Sequence, residues 1–223
     1  MFYNLLPVST ATILLELQYF APIQYYTKLL AYANIQIEQH ENYSKGSFRN
    51  RCHIATANGA IALSIPLKKG KNQQTNIRAI GIDNTTNWQL SHWRSIATAY
   101  GKSPYFEYYQ DDLKAFFETS FDTLFDCCWA AQQLVLELLQ FEPPIVLTNS
   151  FVKNPEGLLD FRNKIRPKSY LEPQDEHFVP TPYPQVFADR LPFLPNLSIL
   201  DMLFCAGPEA LHYLQQSIST KAL

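Results

Sequence analysis

No C-x-x-C pair occurs among the four cysteines, at positions 52, 127, 128 and 205. A zinc ribbon and a dithiol redox motif are therefore excluded. Cys127 and Cys128 sit side by side in an apolar helical pattern, so the plain reading is buried free thiols in a reducing cytoplasm. The five histidines are scattered and none stands four residues from another, so no metal centre is expected. No P-loop, G-x-S-x-G elbow or Ser-His-Asp spacing stands out, and no cofactor is expected. Charge of one sign is also missing. Net charge is −2 with no acidic or basic tail, which argues against general nucleic-acid binding. No uncharged apolar run approaches the roughly 20 residues that span a bilayer. The opening "MFYNLLPVSTATILLEL" lacks the basic start of a signal peptide, and Pro7 interrupts it. These absences together describe a cytoplasmic globular chain.

What is present is apolar and aromatic enough for a sizeable core. "TILLEL" (12–17) reads as a buried strand, "PIQYYTKLLAYA" (22–33) as a helix with Pro22 in its first turn, and "NIQIEQ" (34–39) as a second strand. That β-α-β opening implies a parallel pair. "RCHIATANGAIALSIPL" (51–67) reads as a hairpin turning at Asn58-Gly59 in a type I′ turn. A further strand is expected over 77–82. Helices are expected over 87–100, 109–120 and 121–141, the last one central, and a strand over 145–150. Ten of the fifteen prolines fall between 143 and 195. That stretch should be extended or looped, an ordered arm packed across the domain. The fold class is α/β: a mixed sheet with a β-α-β opening and a hairpin, a helical middle and a proline-rich arm. The expected division is an α/β core over 1–142, with the arm and C-terminal helices (143–223) packed on the same domain.

Several residues are candidates for chemistry. Gln18 and Tyr25 flank a strand end and a helix start, where open α/β sheets bind ligands and free N–H groups favour an anion. In "FRNR" (48–51), Arg49 and Arg51 would share one strand face and Asn50 the other. Arginine's planar fork suits phosphate or carboxylate. Arg162, Lys164, Arg166 and Lys168 at period two would form a cationic strip on an extended segment, or simply a charged edge. His92 lies one helical turn after Trp88, with Tyr100 two turns further. The histidine fits a general base or a fixed hydrogen bond to a backbone carbonyl equally well. Tyr183 and Gln185 either touch a ligand or anchor the arm. Ser198 and Asp201 fit a helix-capping box.

Several stretches, in consistent order, resemble the WbqC-like protein family. They are "LQYFAPIQYY" (17–26), "FRNR" (48–51), "SIPLKKG" (64–70), "NWQLSHWRSIATAYGKSPYF" (87–106), "YPQVF" (183–187) and "PNLSILDMLFCAGPEAL" (195–211). Anchored on Pro22, the family's Gln-Pro pair falls on Leu17-Gln18 and is not intact. The resemblance implies a role in building bacterial surface polysaccharide, with transfer of an acyl or aminoacyl group, such as glycine, to an amino sugar. On that reading His92 is the base. Arg51, Arg162 and Arg166 hold anionic groups, and Trp88, Tyr100 and Tyr105 line a sugar pocket. The partner would be an activated amino sugar or another small anionic substrate. The rival reading is a non-catalytic sugar-nucleotide or glycan binding protein using the same cleft.

Overall fold

The computed structural model describes residues 7–167 and 175–219. The chain opens with β1 (Ser9–Glu16), α1 (Ile23–Ala31) and β2 (Tyr32–Glu38). The two strands run parallel, with Ile13 opposite Ile35 and Glu16 opposite Glu38. Their apolar runs are buried, as strands covered on both faces require. A short 3-10 turn (Phe48–Asn50) leads into the hairpin, β3 (Arg51–Thr56) and β4 (Gly59–Ser64). Then come α2 (Trp88–Tyr100), α3 (Phe106–Glu118) and α4 (Leu124–Leu138), the short strands β5 (Ile145–Leu147) and β6 (Leu158–Asp160), and finally α5 (Ile199–Ala206) and α6 (Ala210–Gln216).

The main sheet has the order β5-β2-β1-β6 with every pair parallel, and the antiparallel hairpin is a separate two-stranded sheet. The class is α/β, as the patterning implies, with its parallel and antiparallel pairs divided between two sheets. Both edge strands come from the proline-rich stretch. β6 was not expected there, because three residues among prolines carry no readable alternation.

Three local expectations are corrected. Residues 77–82 form a 3-10 turn (Ile77–Ala79) and isolated bridges, not a strand. Ile77 and Ile80 are buried from this irregular backbone, so the apolar spacing reports burial rather than extension. The hairpin loop is Ala57-Asn58, because Thr56 pairs with Gly59. The positive φ falls on Gly59 (φ 107), so the turn is not type I′. Asp201 does not complete a capping box. Ser198 does cap α5, accepting from Leu200 N–H, while its own N–H donates to the His53 carbonyl and Asp201 turns inward.

α5 is buried along its whole length and packs against α1, α3 and β3. All four cysteines are free and buried. No helix among the described residues is long and apolar enough to cross a membrane.

Candidate functional site

Glu16 and Glu38 end β1 and β2 in register, and both are fully buried. A carboxylate leaves water only when donors replace it. Glu38 receives Thr148 Oγ1 (2.8 Å), His40 N (2.9 Å), Val152 N (2.9 Å) and Arg162 Nη1 (3.2 Å). Glu16 receives Gln18 Nε2 (2.9 Å) and Asn163 N (2.8 Å). Arg49, with no exposed surface, stands between the acids. Its Nε and Nη2 donate to the two oxygens of Glu41 at 2.7 Å each, and its Nη1 lies 3.6 Å from Glu16. Burial raises the Glu41 carboxyl above its ordinary range, Arg49 pulls it down, and the Glu16 and Glu38 charges push it up again. Three segments, 16–19, 38–51 and 160–166, thus meet at the carboxyl ends of β1 and β2, the place where open α/β sheets take ligands.

The cluster is not closed. Eight buried side-chain polar atoms of the described residues lack a partner, and five belong here: Gln18 Oε1, Arg49 Nη1, Arg51 Nε, Asn163 Oδ1 and Arg166 Nε. Buried polar groups are normally paired, with protein or with water, so this concentration makes the strand ends the candidate site. Two of the atoms accept and three donate. Gln18 Nε2 is held by Glu16 and the Ile165 carbonyl (3.1 Å), which fixes its oxygen as the free end. Arg166 reaches Ser44 Oγ at 3.4 Å, and neither it nor Arg51 forms an ion pair among the described residues. Backbone strain lies alongside. Phe20, two residues after Gln18, has φ 36, and Asn163 has φ 61. A bulky residue in that region persists only where its surroundings over-determine it. Here Phe116 and Phe117 pack on the Phe20 ring, and Ser198 Oγ holds its carbonyl at 2.8 Å.

The expected site residues divide into two groups. Gln18, Arg162 and Arg166 belong to this cluster, and Arg51 borders it near Tyr43. Asn50 lies at its wall, accepting from Tyr43 OH (3.0 Å) and donating to the Ile65 carbonyl (3.0 Å). The cationic strip is not formed as expected. Residues 162–165 turn, Arg162 is paired with Asp160 and Glu38, and Lys168 lies outside the described residues. Arg49 and Arg51 do not share a strand face, because 48–50 is a 3-10 turn.

The others lie elsewhere. His92 is 5 % exposed, ringed by Tyr19, Trp88 and Phe117. Its ring bonds the Ser64 carbonyl, and its Nδ1 accepts from Tyr19 OH at 3.0 Å. Burial lowers it to about 4, so it is neutral and held. The ring is therefore held by two hydrogen bonds, the arrangement weighed above beside a general base. Trp88 donates to Asn84 Oδ1, and Tyr25 donates to Gln132 Oε1. The N-terminus of α1 is not free for an anion: Ile23 N–H donates to the Leu197 carbonyl and Gln24 N–H to Asn196 Oδ1. Tyr105 lies against Gly207, where a Cβ would meet its ring at 2.4 Å. Tyr100, Tyr183 and Gln185 all donate to the buried Asp201 carboxylate, at 2.8, 2.5 and 3.1 Å. Gln185 also exchanges two bonds with the Leu194 backbone. These three anchor the arm to α2 and α5.

Sequence reasoning missed Glu16, Glu38, Glu41, Asn163 and the inward role of Asp201. One signal was available: an acid closes each of the two buried strands, "TILLE" and "IQIE". The burial of Cys52, Cys127, Cys128 and Cys205 pushes every thiol up, so none is poised as a thiolate nucleophile.

The model of the WbqC-like protein family matches residues 18–179. No curated protein and no solved structure matches the chain.

Proposed function

Because the chain belongs to the WbqC-like protein family, we propose that it transfers an acyl or aminoacyl group, such as glycine, to an activated amino sugar during bacterial surface-polysaccharide synthesis, in the cytoplasm. The reaction would take place at the carboxyl ends of β1 and β2. One observation carries this placement: the five unpartnered buried polar atoms of Gln18, Arg49, Arg51, Asn163 and Arg166.

Their chemistry suits such a substrate. Guanidinium N–H groups hold phosphate or carboxylate oxygens, and charge-assisted bonds of this kind are the stronger class. The free amide oxygens of Gln18 and Asn163 accept from sugar hydroxyls or an amine. In the transfer, the sugar amine attacks the acyl carbon. The new N–C bond forms as the bond to the donor's leaving group breaks, and that group departs with the electron pair. Both oxygens of Glu41 are taken by Arg49, so the amine's proton leaves to solvent.

The test is turnover. The protein is incubated with nucleotide-activated amino sugars and a panel of acyl and aminoacyl donors, and the sugar's mass is followed. A gain equal to one acyl or aminoacyl group, lost in Arg51→Met with Arg166→Met and kept in His92→Gln, supports the reading. Absence of a mass gain with every donor, despite saturable sugar binding, favours the non-catalytic binding reading. The sealed His92 is the observation that speaks for that rival.

A further inference from the structure

α2 buries Trp88, His92, Ile96 and Tyr100 and turns Leu90, Ser91, Arg94 and Thr98 to solvent. Along that outer face runs a trough. Its first part, about 640 Å³, lies between α2, the hairpin tip and Phe187 of the arm. Its second, about 760 Å³, continues past the end of α2 to Lys102 and Arg190. Thr98, Ala99 and Phe187 border both parts, so the two adjoin along one face.

Two features identify what it suits. The first is charge. Arg94, Lys102 and Arg190 line it with Asp189 as the sole acid, and Asp189 is already paired with Arg190 at 2.9 Å. Arg94 and Lys102 have no ion-pair partner among the described residues. The trough is therefore cationic on a chain whose net charge is −2. The second is the neutral lining. Asn58, Asn87, Ser91, Ser95 and Thr98 carry amides and hydroxyls, groups that both donate and accept. Sugar hydroxyls do the same. Phe187 offers a ring face midway, and the C–H side of a pyranose is apolar.

We propose that this trough seats an acidic oligosaccharide, with Phe187 against a sugar ring and with Arg94 and Lys102 on its carboxylate or phosphate groups. Arg94 lines one part of the trough and Lys102 the other, so a ligand touching both spans several sugar units. This site is separate from the cluster at the strand ends and stands whether or not transfer occurs there.

The experiment is binding of the full chain to hexagalacturonate, with maltohexaose, a polyglutamate peptide and oligouridylate as competitors. Saturable binding to hexagalacturonate is expected, outcompeted by none of the three at equal concentration. Thr98→Trp, which fills the trough at an exposed position, should weaken it by about tenfold or more. Arg94→Gln with Lys102→Gln should do the same and reduce the salt dependence. The proposal is overturned by lack of saturable binding, by binding indifferent to Thr98→Trp in a variant of unchanged melting temperature, or by preference for the peptide or the oligonucleotide.

Discussion

The protein buries two polar clusters that differ in one respect. Around Asp201, the donors Tyr100, Tyr183 and Gln185 meet one carboxylate, and the hydroxyl of Tyr100 also accepts from Ala55 N–H at 3.0 Å. Every one of these groups is used. Around Glu16, Glu38 and Glu41, the acids are likewise satisfied, yet Arg49, Arg51, Arg166, Gln18 and Asn163 each keep an atom without a partner. A satisfied network fixes a fold, whereas open valences in a buried place cost stability unless a ligand fills them. Burial and charge are common to both clusters, and the unpartnered atoms single out the strand-end one as the candidate.

The largest expected effect breaks the open cluster. Arg49→Met leaves Glu41 and Glu16 buried without their cation and should lower unfolding stability by about 3–5 kcal/mol, read by urea denaturation. Next is pH. His92 is lowered to about 4 in the fold, against about 6.5 when unfolded. The unfolded chain binds the extra proton first, so this stability is whole above pH 6.5 and is lost as pH falls toward 4. The loss is on the order of 3 kcal/mol. Asp201 and Glu41, both raised by burial, act in the opposite sense. The histidine's share is therefore the difference in slope between the wild type and His92→Gln, measured by denaturation at pH 7 and pH 5. Third, Asp201→Ala strands three donors and should cost roughly 1–3 kcal/mol. Ligand binding at the strand ends should stay unchanged, since Asp201 holds the arm and not the substrate. The smallest stability effect sharpens the contrast most. Arg51→Met and Arg166→Met remove cations without ion-pair partners among the described residues, so each should cost much less stability than Arg49→Met while weakening anionic ligands by about tenfold. Equal losses of stability and affinity in those two variants would erase the distinction between the clusters.

The β-α-β opening and the hairpin were legible because apolar spacing reports buried strands and helices directly. Residues 77–82 misled because burial was read as extension. β6 was invisible because a three-residue edge strand has no period to detect. Of the site, Gln18, Arg51 and Arg166 could be named from strand-end position and residue type. The acids at 16 and 38 left one faint signal, a Glu closing each strand, which gains meaning only when the register sets Glu16 beside Glu38. His92 was ambiguous for a physical reason: a histidine one turn from a tryptophan looks the same whether its ring is open or sealed. Only the packing of Tyr19, Trp88 and Phe117 decides it.

The most direct test of this account is calorimetric titration with a uridine-diphosphate amino sugar of three proteins: the wild type, Arg51→Met with Arg166→Met, and His92→Gln. The account predicts saturable binding by the wild type and by His92→Gln with similar affinity, and a loss of about tenfold or more in the double variant. Binding that survives in the double variant but disappears in His92→Gln at neutral pH would contradict it, and would return the site to the ring around His92.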